Sequence, residues 1–171
     1  MPLRPPRRGP RVRSLIARRW IGALLLAALA SGCGSAARYR HPEDRLERVR
    51  LLPPVTGTVS SGFGDRSGGR HAGIDILAPA GTEVRAASPG RVEYSKSGKR
   101  GYGNVVVLDH GEGITTLYGH LSTIRVQSGE TVPAGAVIGA VGRSGNATTH
   151  HLHFELRVDG EAVDPVPYLN R

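Results

Sequence analysis

The chain has 171 residues, a formal net charge of +9 at neutral pH and a sequence pI near 10.7. Seven arginines and no acidic residue lie within residues 1–32, so the rest of the chain carries 16 basic and 14 acidic residues, a net charge of +2. Nucleic-acid binding, which the pI alone would favour, is therefore excluded for the rest of the chain. The single cysteine, Cys33, rules out an internal disulfide.

Residues 1–32 have the pattern of a secretory signal peptide. An arginine-rich start is followed by an apolar run over residues 20–30. Those 11 residues are fewer than the roughly 20 that a membrane-spanning helix needs. We therefore predict a lipoprotein signal peptide over residues 1–32.

The segment that ends at Cys33 resembles the bacterial lipobox, in which cleavage precedes a cysteine that carries the lipid. Its sequence is Ala-Ser-Gly-Cys over residues 30–33, with Ala30 where Leu is more usual. The resemblance implies a lipid on Cys33 and a membrane contact through that anchor; the alternative is an incidental thiol. Gly34 follows the cysteine, and in Gram-negative lipoproteins a residue other than Asp permits sorting to the outer membrane. The expected location is the cell envelope, on the periplasmic face of the outer membrane.

Residues 33–54 are polar and charged, which predicts a lipidated tether with a short helix over residues 42–52. Residues 55–171 have the size of one domain. Within them, strand-like runs at residues 73–77, 91–94, 104–108, 115–118 and 152–158 are separated by turns rich in Gly, Pro and Asp. The expected fold is mostly β, with an antiparallel sheet folded over a smaller one.

Three short motifs concentrate the metal-binding side chains. They are His-Ala-Gly-Ile-Asp at residues 71–75, Tyr-Gly-His at 118–120, and His-Leu-His-Phe-Glu at 151–155. A catalytic zinc takes three protein ligands and leaves a fourth position to water. Four histidines and an aspartate exceed that number, and surplus bases suit hydrolysis better than a closed structural site.

The motif at residues 151–155 alternates polar and apolar residues, which predicts a half-buried strand. His151 and His153 then lie on one face of this strand. Both can bind one metal, or one can bind while the other faces the metal-bound water; spacing leaves this open. Asp75, between Ile74 and Ile76, should also project away from a buried face.

With Gly-Tyr-Gly-Asn at residues 101–104, these motifs make the chain from Val55 to Tyr168 resemble the lysostaphin-type (LytM-like, M23) zinc metallopeptidases. The resemblance implies an antiparallel β-sandwich of the LytM, duplicated-hybrid-motif type with an open zinc-containing groove. It assigns residues 55–171 to an M23-like peptidase domain.

The resemblance further implies a Zn²⁺ held by His71, Asp75 and His153, with His120 and His151 as the catalytic pair. The implied reaction is hydrolysis of peptidoglycan stem peptides. In a Gram-negative envelope these are joined by direct cross-links between D-alanine and meso-diaminopimelate. One alternative is a non-enzymatic regulator that activates a cell-wall amidase or contacts a divisome component. Another is a structural zinc module.

The remaining candidate side chains are expected to have ordinary roles. His41, His110 and His150 fit no ligand position. Glu155 should be solvated or support the site without binding metal. Tyr118 is expected either in the cleft or packed on the sheet.

Overall fold

The computed structural model describes residues 45–99 and 101–169. These residues form twelve strands and one 3₁₀-helix, and among them no helix has the length and apolarity needed to cross a membrane. The strands are β1 (Thr58–Ser61), β2 (Gly64–Arg66), β3 (Gly69–His71), β4 (Ile74–Leu77), β5 (Glu83–Arg85), β6 (Gly90–Lys99), β7 (Gly103–Asp109), β8 (Ile114–Ile124), β9 (Thr131–Val132), β10 (Val137–Val141), β11 (His151–Val158) and β12 (Glu161–Val163), and the 3₁₀-helix is Val166–Tyr168.

Ten of the strands form one antiparallel sheet. Its main path runs β1-β4-β11-β8-β7-β6-β9; β10 pairs with β5 and β8, and β12 pairs with β11. Strands β2 and β3 form a separate two-stranded hairpin. The mostly antiparallel β fold expected from the sequence is confirmed.

The pairing of β4, β11 and β8 places the polar side chains of the three motifs together. His153 lies opposite Asp75 on β4 and opposite Gly119 on β8. Facing residues in antiparallel strands have Cβ atoms about 4.5–5.5 Å apart. A slip of one residue would turn the polar side chains of one strand to the opposite face. The register therefore holds Asp75 and His153 side by side.

The other face of these strands forms the core. Its members in β4 and β11 are between 0% and 4% exposed: Ile74, Ile76, Leu152, Phe154 and Leu156. Because His151, His153 and Glu155 are buried as well, β11 is buried on both faces, not half-buried as the alternation predicts.

Tyr118 belongs to this core. Its ring packs against Phe154 with centroids 5.3 Å apart, and it has no exposed surface. Its hydroxyl oxygen accepts hydrogen bonds from the Ala87 backbone N–H at 2.8 Å and from Thr116 Oγ1 at 3.0 Å. Tyr118 is therefore packed on the sheet and not in a cleft.

Residues 45–54, which we call the strap, pack against the domain. Val49 and Leu51 are 8% and 2% exposed and belong to the core, and Leu51 forms a parallel bridge with Leu169. Within the strap only residues 45–46 are helical, so the helix predicted over 42–52 is wrong from residue 47 onward; residues 42–44 lie outside the described residues. Burial of alternate side chains outweighs a local preference for helix here. The boundary at Val55 stays a prediction.

Arg45 ties the strap to two distant turns. Its guanidinium donates hydrogen bonds to the carboxylate of Asp159 and to the backbone carbonyl of Glu112, the latter at 2.5 Å. Asp159 follows β11, and Glu112 lies in the turn between β7 and β8. One side chain thus joins three segments that are far apart in sequence.

We expect Leu51→Ala to lower the free energy of unfolding by about 2–4 kcal/mol, because it leaves a cavity in the core. The matched control is Leu52→Ala, whose side chain is 50% exposed, with an expected change below about 0.5 kcal/mol. Urea denaturation of the full chain, followed by circular dichroism, measures both. Equal and small changes would mean that the strap is not part of the cooperative fold.

Candidate functional site

Three side chains from β3, β4 and β11 converge on one point. The atoms are His71 Nε2, Asp75 Oδ1 and His153 Nδ1. Their separations are 3.1 Å between the two nitrogens, 3.1 Å from His71 to Asp75, and 2.8 Å from His153 to Asp75. The group has the residue types and spacing to hold a metal ion.

Hydrogen bonds elsewhere on both imidazoles fix which atoms face this point. His71 Nδ1 is 2.7 Å from the Gly62 carbonyl, and His153 Nε2 is 2.9 Å from Glu155 Oε1. Each of these partners only accepts, so the nitrogen beside it carries the proton. The lone pairs of the other two nitrogens therefore meet the carboxylate of Asp75 at the centre.

Three acceptor atoms at this distance repel one another unless positive charge lies between them. In a tetrahedral zinc site with bonds of about 2.0–2.1 Å, ligand atoms are about 3.3 Å apart. The separations of 2.8–3.1 Å are close to that value. Two imidazoles and a carboxylate are also a usual zinc donor set. The residues fit a zinc ion.

The pKa values in this group reflect the same attraction for positive charge. Burial alone raises the pKa of Asp75, but the contact with His153 and the other nearby imidazoles, which attract the proton, hold it below its ordinary value. Burial alone lowers the pKa of His153, yet the carboxylates of Asp75 and Glu155 raise it overall. The negative charge in the group thus favours a cation at the centre.

Glu155 supports His153 from behind. The side chain is fully buried, and its Oε1 also accepts a hydrogen bond from the Tyr102 hydroxyl at 2.7 Å, while Oε2 accepts one from Arg157 Nε at 2.6 Å. Burial raises the pKa of Glu155, but these three hydrogen bonds lower it to about 2, so the carboxylate stays ionised. Burial and Glu155 together raise the pKa of Tyr102 to about 12. An ionised carboxylate orients His153 and increases the basicity of Nδ1.

His120 and His151 lie beside this group. Their ring centroids are 4.8 Å apart, and that of His120 is 5.8 Å from the His153 centroid. The Nδ1 of His120 donates to the Ser144 carbonyl at 2.8 Å, and that of His151 donates to the Thr149 carbonyl at 3.0 Å. Each ring therefore keeps Nε2 available, and His151 Nε2 is 3.7 Å from Asp75 Oδ1.

The backbone of His120 has a positive φ of 61°, which is uncommon for a residue with a side chain. Its N–H donates to the Tyr102 carbonyl at 2.8 Å, so the strained conformation is held by the loop before β7. Burial, only partly offset by the Ser144 carbonyl, lowers the pKa of His120 and favours the neutral ring. Backbone strain of this kind is concentrated at functional sites.

All five side chains line one open cleft of about 510 Å³. The β2–β3 hairpin forms one wall with Arg66 and Arg70, and the loop after β10 forms another with Asn146 and Thr148. A hollow of about 730 Å³ on the same protein shares Tyr102 with this cleft.

Sequence reasoning missed one residue of the site, Tyr102. The Gly-Tyr-Gly-Asn motif marked its neighbourhood, but its contact with Glu155 joins residues 53 positions apart. His110 is hydrogen-bonded to the Pro89 carbonyl and to Thr116, and His150 is exposed. Cys33 and His41 lie outside the described residues.

Comparison with known proteins supports these observations. Residues 69–165 match the model of Peptidase family M23. A DD-carboxypeptidase/endopeptidase, Mpg, of Neisseria meningitidis is 44% identical over 122 residues, or 68% of this chain and 28% of that protein. The outer membrane antigenic lipoprotein B of Haemophilus influenzae is 41% identical over 118 residues, or 69% and 29%. The murein hydrolase activator NlpD of Salmonella typhimurium is 38% identical over 116 residues, or 68% and 30%.

Solved structures resemble the fold as well. Lysostaphin from Staphylococcus simulans aligns with a TM-score of 0.62 at 33% identity, covering 66% of this chain and 48% of that one. A zinc-containing peptidase from Vibrio cholerae aligns with a TM-score of 0.61 at 32% identity, covering 68% and 39%. The chain spans under a third of the length of the three curated relatives above.

We expect Glu155→Gln to weaken zinc binding about 10–100-fold, because His153 loses its ionised partner. Tyr102→Phe should weaken it less, and Asp75→Ala should abolish stoichiometric binding. Competition with a chromophoric chelator measures the affinity in the full chain, and circular dichroism checks the fold. Glu93→Gln, an exposed carboxylate on β6, is the control. Unchanged affinity in folded Glu155→Gln would contradict the supporting role, and zinc retained by Asp75→Ala would contradict the ligand set.

Proposed function

Because the chain belongs to peptidase family M23, we propose that it is a zinc-dependent endopeptidase that hydrolyses the peptide cross-links of peptidoglycan. The observation that carries this proposal is the convergence of three acceptor atoms at the floor of an open cleft, with two further imidazoles beside them. A structural zinc site would be closed by a fourth protein ligand.

In this proposal His71, Asp75 and His153 hold the ion. Zinc bound there supplies Lewis acidity, which lowers the pKa of water to about 7 and polarises a carbonyl group. The hydrogen bonds to Gly62 and Glu155 keep both imidazoles in the tautomer that binds. The zinc-containing peptidase among the similar structures supports this assignment.

His120 and His151 are proposed as the catalytic pair. Each is held by a backbone carbonyl through Nδ1, so that Nε2 takes or gives the proton in the cleft. One neutral imidazole removes a proton from water through Nε2 and returns it to the leaving amine, and the other, in its protonated form, donates through Nε2 to the oxygen of the attacked carbonyl. Two fixed imidazoles serve both ends of the reaction without a rearrangement of the loops.

The proposed substrate is the direct cross-link between D-alanine and meso-diaminopimelate. The name of the Neisseria relative, DD-carboxypeptidase/endopeptidase, supports peptide hydrolysis of this class. The chain spans only part of that relative, so the substrate is carried over as a proposal.

A second candidate function is activation of a cell-wall amidase without catalysis. The resemblance to the murein hydrolase activator NlpD favours it. In that case the cleft would contact an amidase or a divisome component, and proton transfer by His120 and His151 would not be needed.

Replacement of His120 by Ala distinguishes the endopeptidase from the amidase activator. As an enzyme, the protein should keep its zinc and its fold but lose turnover by about 10²–10⁴-fold, the usual effect of removing a positioned acid or base. The measurement is release of muropeptides from purified sacculi, identified by mass spectrometry; His151→Ala should behave alike. His150→Ala, an exposed neighbour, is the control.

Complementation of a cell-separation defect by the His120→Ala variant is the second test of the two candidate functions. If the His120→Ala variant restores separation and the wild-type protein releases no muropeptides, the protein is an activator. Failed complementation by a folded, zinc-loaded variant supports catalysis.

We also propose that residues 1–32 are removed, that Cys33 carries the lipid and that residues 33–54 form the tether of a peptidase domain over 55–171; the second half of this tether, the strap, packs on the domain. The lipoprotein name of the Haemophilus relative supports an envelope location, and the periplasmic face of the outer membrane is the proposed site.

Cys33→Ser should remain unlipidated and should no longer float with membranes in a density gradient, because no thioether can form. Ser35→Ala, two residues away, should float like the wild type. Palmitate labelling follows the lipid itself. Wild-type protein that is recovered soluble, with an intact thiol at Cys33, would refute the anchor.

A further inference from the structure

One wall of the cleft carries two guanidinium groups. The charged residues that line the cleft are Arg66, Arg70, Asp75 and Glu155. Both acids are engaged elsewhere: Asp75 faces the two imidazoles, and Glu155 is hydrogen-bonded on both oxygens. Among the described residues, Arg70 has no ion pair, and Arg66 has only a long one with Asp75, whose carboxylate also faces the two imidazoles.

Arg66 is the guanidinium nearer to the proposed metal ligands. Its Nη1 lies 3.8 Å from Asp75 Oδ2, which is too long for a hydrogen bond. The side chain is 43% exposed, so its donors are open to the cleft. Arg70, in contrast, stacks over the Phe63 ring at 5.5 Å. Arg66 is thus placed to receive an anion beside the reacting atoms.

A guanidinium group suits a carboxylate, which it can bind through two parallel hydrogen bonds. In the proposed cross-link, the carbon bonded to the scissile nitrogen carries a free carboxylate from diaminopimelate. A terminal D-alanine carries a carboxylate at the same position. Successive residues of a peptide are about 3.8 Å apart, so a carboxylate one residue from the scissile carbonyl lies within reach of Arg66.

We propose that Arg66 determines specificity by binding the carboxylate on the carbon next to the scissile nitrogen. This inference rests on the proposed function. It adds a substrate class: peptides whose leaving residue keeps a free α-carboxylate, either within a cross-link or at a chain end. Interior residues of glycine bridges lack this group and would be poor substrates.

The test compares peptide pairs that differ only in this carboxylate, free or amidated. One pair is a cross-linked dimer, and the other ends in D-alanine. Dissociation constants are measured by calorimetry with the full-length, zinc-loaded chain in a His120→Ala background, so that the peptides are not cut. Cleavage rates of the same pairs are measured with the wild type.

The protein with Arg66 should bind the free carboxylate at least about tenfold more tightly, the usual effect of a charge-assisted hydrogen bond. Arg66→Gln should reduce this preference to less than about twofold. The matched control is Arg125→Gln: Arg125 is 52% exposed, has a comparable 3.7 Å pair with Glu83 and lies outside the cleft lining. It should keep the full preference.

Several results would overturn the inference: no preference with Arg66 present, a preference kept by Arg66→Gln, or one lost only in Arg70→Gln. Failure of the proposed function looks different. If the protein binds the free carboxylate through Arg66 but releases no muropeptides from sacculi, this inference stands and the proposed function fails. If free and amidated peptides are bound and cleaved equally well, the proposed function stands and this inference fails. A preference for only one of the two free peptides identifies which source of the carboxylate is used.

Discussion

The pairing of β4 with β11 is the constraint on which the site depends. It places Asp75 opposite His153, and the same strand carries His151 two residues earlier. Apolar side chains on the reverse face are buried, so a change of register would expose them and separate the polar groups at once. Stability of the core and geometry of the cleft are therefore set by the same contacts.

The polar groups in the cleft are also held by parts of the chain outside the sheet. Backbone carbonyls of Gly62, Ser144 and Thr149 each accept from an imidazole, and they come from two loops, one between β1 and β2 and the other between β10 and β11. Because the loops position protons and not only rings, their conformation decides which nitrogen faces the cleft. Two M23 domains that have the same histidines can thus differ in which imidazole nitrogens face the cleft, if their loops differ. This bears on the two candidate functions, since relatives with both kinds of name are similar to this chain in sequence.

Much of the fold and the identity of the candidate residues could be predicted from sequence. Period-2 alternation in β11 and Asp75 between two isoleucines are local signals, and the structure brings these polar groups together. The contact of Tyr102 with Glu155 could not be predicted, because it depends on which strands become neighbours. The strap was predicted as helix from its local composition, but Val49 and Leu51 are buried in the core. The stability gained by burying these side chains depends on tertiary contacts, which local composition does not show.

With the proposed lipid anchor, the strap would also limit the distance between the cleft and a membrane. Arg45 fastens the described part of the chain at its first residue, so with a lipid on Cys33, as proposed, residues 34–44 lie between the anchor and the first residue that the structure describes. A chain of that length spans at most about 40 Å when fully extended. The peptidase would then be confined to peptidoglycan in a thin layer next to the bilayer. The length of this segment, more than the chemistry of the cleft, would decide which part of the wall is remodelled.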